Sequence, residues 1–144
     1  MTLLDALQMT LEAEHAAVYV YGVLGARTSR SAEPQLFADV SDAYATHRSR
    51  RDQLMSMVRD AGGTPRAAEP AYDLPEPLQT PAQVTRAALE IERASATTYA
   101  WLVANSVGPD RRWAVNALTN TAVRELTFRG SPEIFPGSGE YADR

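Results

Sequence analysis

The feature that most constrains this chain is a proline-studded stretch between two long helical patterns. Residues 63–81 read GTPRAAEPAYDLPEPLQTP and contain Pro65, Pro70, Pro75, Pro77 and Pro81. Proline lacks a backbone N–H and clashes with the preceding turn, so this stretch cannot be helical throughout. The helix before it has about 28 residues and a length of ~42 Å. A tight turn would need only a few residues to join it to the next helix. Some 18 stiff, extended residues instead reach roughly 55 Å at ~3.1 Å each. That is enough to cross a helical bundle from end to end and make the flanking helices parallel; the alternative is a decorated surface loop.

Four helices follow from periodicity and end signals. The first runs from about Thr2 to Arg27, with Thr2 and Asp5 as a capping box. Its stripe is Leu4, Leu7, Leu11, Glu14, Val18 and Tyr21, spaced three and four apart. Gly22 and Gly25 either admit a close neighbour or begin the stop. The second runs from Pro34 to Ala61, with Gly62 and Gly63 as the stop. Its stripe reads Val40, Tyr44, His47, Arg51, Leu54, Val58. The third starts at the capping box Thr80 and Gln83, continues to about Ser106, and aligns Leu89, Glu92, Ala96, Tyr99 and Val103. The fourth follows Gly108 and stops at Gly130, with Val115, Leu118, Ala122 and Leu126 as core candidates and Ala114, Ala117, Thr121 and Phe128 flanking them. Residues 1–130 thus form one all-α four-helix bundle with a long crossover between helices 2 and 3, and 131–144 an irregular tail.

Composition removes several functions. All 14 basic residues are Arg, so no phosphate-binding Lys loop or Schiff-base Lys exists. Without Cys there is no disulfide, thiolate metal site or cysteine nucleophile. A formal charge of -4 and a pI near 5.2 argue against nucleic acid as a partner. The amino terminus lacks a basic region and is broken by acids, unlike a signal peptide. No apolar run approaches the ~18 residues of a membrane span. A cytoplasmic protein with no membrane partner is expected.

What stands out is polarity placed where a core belongs. The helix midpoints fall near residues 15, 48, 94 and 119, and Glu14, His47, Glu92 and Asn120 lie within about two residues of them. In a bundle of near-equal helices these residues share a layer. A carboxylate inside a core is costly unless paired, hydrogen-bonded or metal-bound. Three answers are open: a polar network of Glu14, His47 and Glu92 with Tyr44, Arg51 and Asn120; a site for one divalent metal, iron or manganese, on Glu14, His47 and Glu92; or an intact di-iron oxidase centre. His15, beside Glu14, points about 100° away and is expected at a helix–helix seam. Arg48, Arg50, Arg51 and Asp52 read as a partly solvated charged face.

The segments EHAAVYVYG, AYATHRSRRDQL, LEIERASATTYA and ALTNTAVRELTFRG together resemble the ferritin-like superfamily, and more narrowly a family of small bacterial ferritin-like domains of unknown function. The resemblance covers nearly the whole chain; its first two segments are the most specific and its fourth is weak. It implies one Glu on helices 1 and 3 and Glu-x-x-His on helices 2 and 4. Glu14, His47 and Glu92 match three of those six ligands. Tyr44 stands where the second helix should carry its Glu, the metal-bridging one. On helix 4, Asn120 and Val123 fall at the Glu and His positions; shifting the register brings in Glu125 but puts Phe128 where His belongs.

These features lead to a non-catalytic structural or interaction protein with a degenerate metal centre and no resident cofactor. The alternatives are a metal-binding protein or oxidoreductase with a mononuclear site, and a small-ligand binder, which an apolar cavity beside the polar cluster would favour. Exposed aromatics such as Tyr19, Trp101 or Trp113 suggest a homodimer formed along a helix face.

Overall fold

Thr2 opens the chain's first helix as its sequence dictates: the hydroxyl accepts from the Asp5 amide and the Asp5 carboxylate accepts from the Thr2 amide. In the computed structural model, which describes residues 1–129, this helix (α1) spans Leu3–Ala26. It is followed by α2 (Pro34–Asp60), α3 (Pro81–Ala104) and α4 (Gly108–Arg129). Thr80 and Gln83 form the second capping box, at the start of α3. The α2 stop uses Gly62 at φ 82°, a left-handed conformation that glycine adopts without steric penalty. The expected stop at Gly130 and the tail 131–144 lie outside the described residues.

Two core clusters fix the helix directions. One joins the beginnings of α1 and α4 to the ends of α2 and α3, through Leu7, Leu11, Leu54, Met57, Tyr99, Leu102 and Ala114. The other joins the end of α1 and Phe128 of α4 to the beginnings of α2 and α3, through Val20, Leu24, Val40, Val84 and Ala88. Helices α2 and α3 are therefore parallel, as the crossover length required. The bundle is two helical hairpins, α1–α2 and α3–α4, joined chiefly through α1 and α3.

The crossover, residues 61–80, is a strap laid along the outside of α1. The Gln8 amide donates to the Thr64 carbonyl at 2.7 Å and accepts from the Arg66 N–H at 3.0 Å. Farther along, the Tyr19 and Tyr72 rings pack with centroids 5.6 Å apart, and Leu78 is buried in the far cluster. His15 belongs to this strap rather than to a helix–helix seam: its Nε2 lies 3.0 Å from the Arg66 carbonyl. The adjacent-residue rotation was right, but it points at a connection whose path periodicity does not describe.

Helix α4 is rotated from its expected setting. Val115 and Leu126 are exposed, and the buried face is Ala114, Ala117, Thr121, Arg124, Glu125 and Phe128. The larger aliphatic residues drew the sequence reading outward. The structure instead turns inward a face of small residues, where α3 approaches, and of polar residues that meet the centre.

Gly22 and Gly25 do not stop α1, which runs through both. Nor does α2 need them to approach: a Cβ at Gly22 would sit 3.7 Å from Tyr44 Cε2, and one at Gly25 3.9 Å from Val40 Cγ1. Both are ordinary van der Waals distances. Glycine in a helix interior costs about 0.5–1 kcal/mol relative to alanine. Gly22→Ala is therefore expected to stabilise the protein by about that amount, seen as a raised urea midpoint; an equal or lower midpoint would show a steric demand at this position.

Candidate functional site

Each long helix contributes to one buried polar layer at mid-height. Glu14 of α1, His47 of α2 and Glu92 of α3 are at most 2% exposed. The expectation that these three meet is correct. His47 lies between the two acids, with Nδ1 2.5 Å from Glu14 Oε2 and Nε2 3.0 Å from Glu92 Oε1. A neutral imidazole has one donor and one acceptor. Two carboxylate oxygens facing both nitrogens are satisfied together when both nitrogens carry protons. Burial alone would lower the His47 pKa, but the Glu14 charge and the hydrogen bonds to Glu14 and Glu92 outweigh it and raise it to about 9. Burial likewise raises the Glu92 carboxyl, yet its bonds to His47 and Tyr21 hold it below the ordinary carboxylate range.

Two tyrosines complete the layer crosswise. Tyr99 of α3 donates to Glu14 Oε1 at 2.5 Å, and Tyr21 of α1 donates to Glu92 Oε1 at 2.6 Å. Each helix thus carries an acid and, seven residues on, a tyrosine; antiparallel pairing brings each tyrosine to the other helix's acid. Tyr21 also stacks on His47, with centroids 5.2 Å apart and planes at 23°. Burial first, and the neighbouring carboxylates next, push both hydroxyls well above the usual tyrosine pKa.

Arg50, not Arg51, faces inward. Its guanidinium lies 4.0 Å from Glu14 Oε1 and 5.0 Å from the Tyr99 ring centroid. It donates to Thr121 Oγ1, to the Ala117 carbonyl and to Asn120 Oδ1, so it spans the loosely packed space between α2 and α4. Arg124 crosses the same space in the other direction, donating to Asp42, Thr46 and Asn120. The remaining expected partners are displaced. Arg51 pairs with Asp52 at the surface, and Tyr44 lies beneath the Arg48 guanidinium. Asn120 is exposed and meets the centre through Arg50. The long arginine stem explains the error, because Arg50 starts beside the stripe and reaches across it. Glu125, reached in the sequence only by shifting register, is fully buried on α4, with Phe128 also buried one turn on.

This arrangement is filled from within. Both His47 nitrogens and both Glu14 oxygens have partners, and an imidazolium offers a metal no lone pair. Of the Glu14, His47 and Glu92 side-chain atoms, Glu92 Oε2 has no hydrogen-bond partner among the described residues. Among those residues no group of three or more His, Cys, Asp or Glu is disposed to hold a metal ion. No described helix is long and apolar enough to cross a membrane.

A family model described as "Domain of unknown function (DUF4439)" matches residues 6–140. The crystal structure of a conserved hypothetical protein, rv2844, from Mycobacterium tuberculosis is similar, with a TM-score of 0.80 and 32% sequence identity over 88% of this chain and 93% of that one. No curated protein matches the chain.

Proposed function

We propose that this chain, which belongs to the DUF4439 domain family of unknown function, is a non-catalytic structural or interaction protein whose core holds a protonated histidine where a ferritin-like ancestor would have held metal. The observation that carries this reading is His47, bonded through both ring nitrogens to Glu14 and Glu92. Its proton-borne charge does the electrostatic work a cation would otherwise do between two buried acids. Arg50 supplies a second positive charge beside Glu14. A divalent metal would have to displace a proton from His47 and break at least one of these bonds first. The residues therefore do not fit a resident metal as they are arranged.

Anaerobic titration of the purified protein with ferrous iron, and separately with manganese, tests the reading. Less than one tightly bound ion per chain is expected. Two irons per chain would overturn it in favour of a di-iron oxidase, and one would overturn it in favour of a mononuclear metalloprotein.

The interaction half of the proposal rests on α4, whose outer face shows Val115, Val123 and Leu126, each at least 40% exposed. A second copy of the chain is the partner assigned to it. Tyr19 and Trp113, earlier candidates for such a face, are engaged with Tyr72 and Tyr99. Light scattering at high micromolar concentration is expected to give a dimer mass that falls to the monomer in Val123→Glu. A monomer for the unaltered chain would remove the homodimer.

A further inference from the structure

Beside the ionic layer, between the last turns of α1 and the first turns of α2, lies an open groove of about 400 Å³. Small-molecule pockets typically run from about 300 to 1,000 Å³. Its lining is Tyr21, Gly22, Gly25, Phe37, Val40, Ser41 and Tyr44. Two features separate it from an accidental gap between helices. Phe37 and Tyr44 are half-buried rings on its α2 side, while Tyr21, fully buried with its hydroxyl tied to Glu92, lies behind the groove floor. On the α1 side are the two helix-interior glycines that neither backbone conformation nor helix packing requires. Alanine would fit at both positions and favour the helix; what it would remove is space in this groove.

We propose that the groove binds a small, uncharged, planar aromatic molecule of one or two rings that carries a hydroxyl or similar hydrogen-bonding group. The lining rings and the flat glycine surface suit a planar apolar body. No carboxylate or imidazole lines the groove and the Arg48 guanidinium stacks over the Tyr44 ring at 5.5 Å, so an uncharged ligand fits better than a cation. The Ser41 and Tyr44 hydroxyls are its polar handles. The groove shares Tyr21 with the ionic layer, but its remaining lining stands apart from His47, and its test is read without reference to metal.

The test is a titration of the 144-residue chain with 2-naphthol, followed by amide chemical shifts. Saturable one-site shifts at Gly22, Gly25 and Ser41 are expected. The double variant Gly22→Ala, Gly25→Ala is expected to bind at least tenfold more weakly while its thermal midpoint rises, which separates lost space from lost fold. Phe37→Ala, a change at a half-exposed ring, is expected to weaken binding as well. Absence of saturable shifts at those amides, or unchanged affinity in the double variant, would overturn the proposal. So would nuclear Overhauser contacts between the Phe135 ring and Phe37 or Tyr44 in the free chain, because the groove's occupant would then be the chain's own tail.

Discussion

His47→Ala is expected to destabilise the protein by about 3–5 kcal/mol, the usual consequence of removing one partner from a buried ion pair. The substitution leaves Glu14 and Glu92 in the core without the cation between them, with Arg50 at 4.0 Å from Glu14 and only the weaker Coulombic pull of Arg124 on Glu92. Most of the loss comes from desolvated acids deprived of their cation, not from the few contacts of the ring itself. Glu14→Gln should be milder, since the amide oxygen still accepts from Tyr99. Removing the triad together is instructive: Glu14→Leu, His47→Leu and Glu92→Leu, with Tyr21→Phe and Tyr99→Phe, eliminates its three charges and the hydroxyls that would lack acceptors, while the buried Arg50 keeps its bonds to Thr121, Ala117 and Asn120. This fivefold variant should be more stable than His47→Ala despite its greater number of changes. Urea unfolding at constant slope measures all three. A loss under about 1 kcal/mol in His47→Ala would mean that the layer is not ionised as described.

Stability should also fall as pH rises from neutrality. The folded chain holds the His47 proton up to about 9, against an ordinary value of 6.5. The folded state therefore binds the proton more tightly than the unfolded state. The resulting stabilisation is fully present below about pH 6.5 and is lost as pH passes through 9; its size is on the order of 3 kcal/mol. Glu92 has the opposite sign. Its depressed pKa contributes stability above the ordinary carboxylate value of 4.5, lost as pH falls through its folded value. These are two views of one interaction and are not summed. A plateau on the mildly acidic side of neutrality is expected, with Tyr21 and Tyr99 extending the alkaline decline because their raised values favour the unfolded chain once tyrosines ionise. Unfolding curves at pH 6, 7.5 and 9 test this directly. Stability that rises across that series, or an equal slope in a His47 variant, would contradict it.

Much of this was legible in the residues. Capping boxes at Thr2 and Thr80 set two helix starts, and the proline-rich strap set the parallel pair, because both act through local stereochemistry. Glu14, His47 and Glu92 were legible because acids within apolar stripes demand compensation. Their tyrosine partners were already in the same stripes. The equal seven-residue spacing of Glu14 to Tyr21 and Glu92 to Tyr99 was the signal that could have paired them once α1 and α3 were known to be antiparallel. Arg50 was not legible, since a long side chain can reach a layer its Cα does not face. Helix α4 was misread because it carries apolar residues on two sides, and local sequence does not say which side meets another helix.

The strap has a consequence for assembly. It is the sole covalent link between two hairpins, and the charged layer is divided between them: Glu14, His47 and Arg50 on α1–α2, and Glu92 on α3–α4. Counted over these four groups alone, with Glu14 and Glu92 ionised and His47 protonated, the first hairpin carries a net positive charge and the second a negative one. Each is mismatched alone and neutralised by the other. The ionic layer thus acts as an address between the halves, favouring the one docking register in which Tyr21 meets Glu92 and Tyr99 meets Glu14. A chain nicked within residues 61–80 would retain that address in two noncovalent pieces. Its covalent continuity would then chiefly supply effective concentration, while the choice of partner and alignment would remain in the core.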